Sequence, residues 1–406
     1  MRHIPQLALV AALALGAVSA PTAAQAPPAA RDFRIGKAER EALGALQTAV
    51  AARDVSGAKA AYAGAQSVAL SGDTRYLAGS LLFKLGLDVN DRQLQLQGID
   101  AIIASDAAAP DELPALYRNQ AALAASANDS KKAGAALTKL AELRPDDIET
   151  LIALAQLRSN QKRPADALAL LDRAIAMQKA GGRPVPEAWY KFAVRTAFDA
   201  KLAPQTAKFA RDWVAAFPSP QNWRDAIGDY RDIGGLDTAA DLDALRLMRF
   251  TRALAGERDY HMLADTLTRN GFADEGKAVL DEGIAAKMVD TGKAAKGSKR
   301  PAAKKGAAGK AALATAEKTA LAAATGAPAL KAADSHFASG EYAKAAALYR
   351  AALQKGGVDA NLVNTRLGMA LTLSGQKAEA EAAFRSVNGP RTDLVGFMLV
   401  WLAQRA

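Results

Sequence analysis

Gly340-Glu-Tyr-Ala-Lys-Ala-Ala-Ala-Leu-Tyr-Arg-Ala-Ala-Leu353 sets small residues at 345 and 352 around a large one at 349, directly after a glycine. Where helices approach to about 8–10 Å, small side chains leave holes that neighbouring large ones fill, so Ala345 and Ala352 read as holes and Tyr349 as a knob. A shift of 35 residues finds the pattern again as Gly375, Lys377, Ala380, Phe384, Val387 and Asn388, preceded by Leu367-Gly368 and Leu371. Upstream, one copy holds Trp223, Ala226, Ile227, Tyr230, Gly234, Leu236 and Ala239, and another holds Tyr260, Leu263, Ala264, Leu267, Gly271, Ala273, Gly276 and Leu280. Fainter copies follow the same step: Ala133, Leu137, Leu140 and Pro145 recur 34 residues on as Ala167, Leu171 and Ala174. The first copy is read at Ala42, Leu46, Ala49, Ala58 and Tyr62.

Such a period marks helix–turn–helix units that cannot bury their apolar faces alone and stack in a line. Composition agrees. Hydrophobic residues make up 50% but aromatics only 6%, so the apolar content is mostly alanine and leucine, both strong helix formers. The pattern resembles the tetratricopeptide repeat, and that resemblance implies an all-α, right-handed α-solenoid of about nine units. Trp189, Phe198, Ala207 and Trp213 fit only in a shifted register, and residues 73–106 fit poorly.

The chain therefore divides into a leader (1–26), a spacer (27–37), a repeat array (38–290), a basic linker (291–325) and a C-terminal repeat pair with an apolar final helix (326–406). The leader has a basic start, an apolar run Leu7–Val18 and small residues after it, the form of a secretory signal peptide. A soluble periplasmic protein with no transmembrane span is expected. The linker carries eight Lys or Arg against Glu317 alone, which is +7 of the chain's net +10, and it lacks large apolar residues between 291 and 310. It is predicted to be disordered, with Ala311–Ala324 as the remnant of a repeat's second helix.

Absence of cysteine excludes disulfides, thiolate metal sites and thiol nucleophiles. Beyond the leader only His261 and His336 remain, neither in a metal-spaced pair nor in a nucleophile–base motif, so no catalytic residue, metal or cofactor is assigned. His336 stands where the related repeats have a tyrosine, and is read as a core residue. In those repeats the first helix of each unit lines the concave groove. Carried over, this implies partner contacts from Arg118, Asn119, Gln156 and Asn160, then from Arg224, Asp225, Arg231 and Asp232, then from His261 and Asp265. A merely solvated helix face would carry the same residue types.

The implied partner is another protein or a peptide segment. Lys293, Lys296, Lys299, Arg300, Lys304, Lys305 and Lys310 form a second candidate site, for a polyanion or an anionic membrane surface. Nucleic acid is not expected if the protein is exported. Leu394–Leu402, apolar all round, reads either as a last helix buried against Phe384 or as one whose exposed side, at Phe397 and Trp401, docks a partner or a second copy of this chain in self-association.

Overall fold

The computed structural model describes residues 32–68, 71–290 and 307–405, with the backbone alone for 307–310. The expected leader, spacer residues 27–31 and the basic cluster Lys293–Lys310 thus lie outside the described residues or side chains. The fold is all-α: among the described residues there are helices, one 3₁₀ turn and no strand. Two compact units meet in sequence at Leu157/Arg158.

The first unit holds α1 (Lys37–Ala51), α2 (Val55–Val68), α3 (Gly72–Asp88), α4 (Arg92–Ala104), α5 (Leu113–Ser126), α6 (Ser130–Leu143) and most of α7 (Ile148–Asn160). The second holds the end of α7, then α8 (Pro164–Ala180), α9 (Glu187–Asp199), α10 (Ala203–Ala216), α11 (Pro220–Ile233) and α12 (Thr238–Phe250). It continues with α13 (Gly256–Arg269), α14 (Ala273–Ala285), α15 (Ala307–Ala322), α16 (Gly326–Ala338), α17 (Tyr342–Lys355) and α18 (Ala360–Leu373). Last come α19 (Lys377–Arg385), a 3₁₀ turn (Gly389–Arg391) and α20 (Thr392–Gln404).

Nine of the connections are hairpin turns with one residue at positive φ: Arg53, Asn90, Asn128, Lys162, Lys201, Gly235, Gly271, Gly340 and Gly375. Up to Gly271 these turns are 34 to 39 residues apart, which is the repeat itself. Glycine takes this conformation freely, whereas Asn, Arg and Lys pay about 1 kcal/mol for it. The early copies are faint in sequence because their turns lack glycine. Side-chain caps start several helices, with Ser71, Asp91 and Asp129 accepting the N–H of Thr74, Leu94 and Lys132.

The Ala345, Tyr349 and Ala352 side chains of α17 are all fully enclosed, as their sizes required, and Tyr349 reaches Asp334 on α16. At Gly368 an added Cβ would lie 2.4 Å from the Phe384 ring, so the α18–α19 pair uses the same hole-and-knob device.

In the first unit α3 and α4 cross on glycine. A Cβ on Gly98 would stand 2.5 Å from the Phe83 nitrogen, one on Gly79 2.8 Å from the Gly98 carbonyl oxygen, and one on Gly86 2.6 Å from the Gln95 nitrogen. These residues fit the repeat template poorly because the contact is made by backbone, where the template uses alanine and an aromatic. Nearby, the Glu39 carboxylate accepts the Gly36 N–H at 2.6 Å and the Ser71 N–H and hydroxyl at 3.1 and 3.0 Å, tying α1 to the start of α3. The Gly36 N–H is the main cause that holds this carboxyl down to about 2, against the opposing effect of burial.

The second unit is closed by contacts between residues far apart in the chain. Helix α20 lies on α10, α12, α18 and α19, and its two large aromatics are buried, Phe397 at 0% and Trp401 at 3% exposure. Phe397 packs between Trp223 (6.3 Å) and Tyr230 (5.3 Å), and Trp401 stacks on Phe250 (5.7 Å). Both ends are fixed by polar contacts: Arg211 to Asp393 at 2.6 Å, and Gln404, which donates to the Val214 carbonyl at 2.8 Å and accepts from Trp223 Nε1 at 3.1 Å. Of the two readings of this helix the buried one holds, and the exposed side at Phe397 and Trp401 is corrected, since those rings serve the interior of the same unit. Residues 326–406 likewise fold together with 158–290.

Helix α12 is enclosed from Leu242 to Met248, including two charged side chains. Asp243 accepts from three guanidinium groups: Arg246 at 3.3 Å, Arg366 at 3.2 Å and Arg391 at 3.0 Å. Arg246 also forks onto Glu275 (3.1 and 2.6 Å) and is flanked by the Phe272 and Phe337 rings at 4.8 and 5.0 Å. Arg366 reaches Asp334 at 2.7 Å, and Asp334 accepts the Tyr349 hydroxyl at 2.6 Å. Burial first of all, then the Asp334 charge, pushes the Tyr349 hydroxyl well above its ordinary value. Buried ion pairs add little net stability over apolar packing, but removing one partner strands a charge and costs about 3–5 kcal/mol.

Alanine's helix propensity outweighs the basic linker's polarity from Ala307 onward, where α15 begins inside the 291–325 stretch and covers the expected second-helix remnant.

Candidate partner-binding faces

A hairpin repeat buries one stripe of its first helix and leaves another polar. In the first unit, Arg118 on α5 is exposed, and its Nη2 donates to Asp147 at 2.8 Å, just ahead of α7. Burial pushes the Asp147 carboxyl up, but hydrogen bonds from Thr150 and Arg118 outweigh it and hold the carboxyl below its ordinary value. Asn119 is half-buried beside Arg118, and Gln156 on α7 is exposed.

In the second unit Asn160 is exposed at the end of α7. Two of the arginines singled out from the sequence are held by neighbouring helices. Arg224 donates to Asp259 at 3.0 Å, while Asp259 also accepts the Ala255 N–H at 3.0 Å, so one carboxylate joins α11 to the start of α13. Arg231 forks onto Asp241 at 2.7 and 3.2 Å and joins α11 to α12. These arginines position the face. Asp225, Asp232 and Asp265 are its exposed carboxylates, and Asp225 accepts the Gln221 amide at 2.7 Å. His261 is partly exposed, with Nε2 3.7 Å from Glu257.

Sequence reading missed Asp229. It shares a helical stripe with Asp225 and Asp232, by the spacing of four and three residues. Burial is the chief cause that raises its carboxyl to about 6, and the charges of Asp225 and Asp232 add to it. The i, i+4, i+7 acidic spacing on α11 is visible in the sequence, whereas the half-burial that shifts Asp229 is not. This face repels anions and attracts cationic side chains.

Enclosed chemistry is sparse. Among the described residues no group of three His, Asp or Glu side chains could hold a metal ion. A cavity of about 60 Å³ in the first unit, lined by Tyr62, Gln66, Arg75, Ala78, Ala101 and Ala104, is well below the roughly 300–1,000 Å³ of small-molecule sites. No helix among the described residues is long and apolar enough to cross a membrane. The basic residues Lys293 to Lys310 have no described side-chain positions.

No protein-family model matches this chain, and no curated protein matches it. Among solved structures it is similar to a tetratricopeptide repeat protein from Parabacteroides merdae, with 12% identity over 83% of this chain and 100% of that one and a TM-score of 0.27. It is also similar to the tetratricopeptide repeat domain of P58(IPK), with 13% identity over 83% of this chain and 98% of that one and a TM-score of 0.27.

Proposed function

We propose that the protein is a non-catalytic interaction scaffold of the bacterial cell envelope, exported by its leader, that binds a segment of another protein on first-helix faces of its hairpin repeats. The observation that carries this reading is the division of labour on α11. Its apolar residues Trp223, Ala226, Ile227 and Tyr230 are buried in the unit, while Asp225 and Asp232 are exposed on a face held rigid by Arg224 and Arg231. A rigid polar face costs a partner little ordering entropy on the scaffold's side, and a few contacts supply most of the affinity. The segment facing α11 is expected to be basic. In the first unit, Arg118, Asn119 and Gln156 offer the corresponding positions.

Photocrosslinking in cells tests this. Crosslinkers at Asp225, Asp265 and Gln156 should capture a protein that those at Asp172 and Lys277, on second helices, do not. The double substitution Asp225→Lys/Asp232→Lys should weaken capture about tenfold or more. Equal capture from both sets of positions, or substrate turnover by the purified protein alone, would end the scaffold reading. The Lys-rich stretch supports a second reading, tethering to a polyanion or an anionic membrane surface, or service to an envelope-polymer enzyme. Steep loss of binding with salt, abolished by deleting residues 293–310, would favour the tether.

A further inference from the structure

Among the described residues two enclosed side chains have a polar atom with no hydrogen-bond partner, the Tyr190 hydroxyl and the His336 imidazole, and the imidazole lies between two carboxylates. His336, on α16, is 1% exposed. Its Nδ1 lies 2.7 Å from the Glu341 carboxylate, at the start of α17. Its Nε2 is buried without a hydrogen bond and faces the Glu317 carboxylate of α15 at 3.5 Å. A singly protonated imidazole can donate to one of these carboxylates and must turn a lone pair toward the other. An imidazolium donates to both.

Among the described residues Glu341 and Glu317 are the charged groups within ion-pair distance of His336. Lys344, 3.2 Å from Glu341, shares that carboxylate with the imidazole. The His336 hydrogen bond, ahead of the one from Lys344, holds the Glu341 carboxyl below its ordinary value. Of the other charged groups on or beside α16, Asp334 is engaged with Arg366 and Tyr349, Arg246 with Glu275 over the Phe337 ring, and Lys331 is exposed to solvent. Helix α15 is the least enclosed helix of the unit. Between 311 and 322 only Ala320 is buried, and Glu317 is the side chain that reaches a buried polar atom. Beyond the helix end, Lys355 Nζ donates to the Ala323 carbonyl at 2.6 Å.

We propose that His336 is a pH-operated clasp for α15: its imidazolium bridges Glu341 and Glu317 and holds α15 against α16, and loss of the Nε2 proton releases Glu317 and loosens the helix. The charged ring is the form that the closed arrangement satisfies. The clasp is therefore complete while both ring nitrogens carry protons and opens when Nε2 loses its own, so it is closed at low pH and open at high pH.

Amide hydrogen exchange on the full chain, corrected for intrinsic rates, tests it. Protection of residues 311–322, taken relative to α17, should be at least about threefold greater at about pH 5.5 than at about pH 8. Glu317→Ala keeps a helix-forming residue at a partly exposed position and should leave protection low at both pH values. His261→Gln should keep the wild-type profile, separating the clasp from the other described histidine. A flat profile in the wild type, or an unchanged pH dependence in Glu317→Ala, would overturn the proposal.

Discussion

Helices α3 and α4 in the first unit and helix α12 in the second reach close packing by opposite means. The first pair removes side chains: Gly79, Gly86 and Gly98 let backbone meet backbone. Helix α12 keeps long charged side chains and buries them against opposite charges, with three guanidinium groups on Asp243 and a fork from Arg246 to Glu275. The glycine crossing joins neighbours in sequence, whereas Arg366 and Arg391 reach Asp243 across 123 and 148 residues. A local hairpin has little freedom to pack wrongly, so shape alone suffices. A long-range closure benefits from contacts that only one arrangement satisfies, because any other strands a buried charge.

The largest effect should follow from Asp243→Ala. It leaves Arg246, Arg366 and Arg391 short of a carboxylate and should lower stability by about 3–5 kcal/mol, read from chemical unfolding followed by tryptophan fluorescence. All four tryptophans (Trp189, Trp213, Trp223 and Trp401) lie in the second unit and report on it directly. Phe397→Ala, which empties the space between Trp223 and Tyr230, should cost about 3 kcal/mol in the same measurement. A loss much below about 1 kcal/mol would mean that α20 is not part of the core.

Smaller effects bear on the other side of the comparison. Gly98→Ala should cost about 1–3 kcal/mol, read from circular dichroism, because its Cβ meets backbone that cannot move aside cheaply. A neutral result would show that the α3–α4 crossing is looser than its geometry. Asp229→Asn gives the smallest effect, and its sign depends on pH. A carboxyl raised to about 6 favours the folded state while protonated, and that contribution is lost as pH rises from about 4 through about 6. The substitution should therefore raise the unfolding midpoint above about pH 7 and leave it little changed near pH 4.

Much of the helical-hairpin plan was legible in the amino-acid order, because alanine holes, aromatic knobs and turn glycines recur at a fixed step. Legibility failed where a different residue did the same physical job. Asn90, Asn128, Lys162 and Lys201 take the turn conformation that glycine marks elsewhere. Glycine contacts on α3 and α4 replaced the alanine–aromatic pair on which the template relies. The partners that close the second unit were not legible. Nothing in the sequence pairs Arg366 or Arg391 with Asp243, and a buried last helix at Leu394–Leu402 was one of two readings, so only long-range pairing reveals what each one meets. The candidate faces were half legible. First-helix positions pointed to exposed residues such as Asp225 and Gln156, but gave no sign that Arg224 and Arg231 are committed to Asp259 and Asp241.

A double-mutant cycle between Asp243→Asn and Arg391→Gln tests the closure most directly, since these residues meet only if the chain's end folds back on α12. Coupling of about 1 kcal/mol or more in unfolding free energy is expected for a shared buried pair. Additive losses, with coupling indistinguishable from zero, would contradict it.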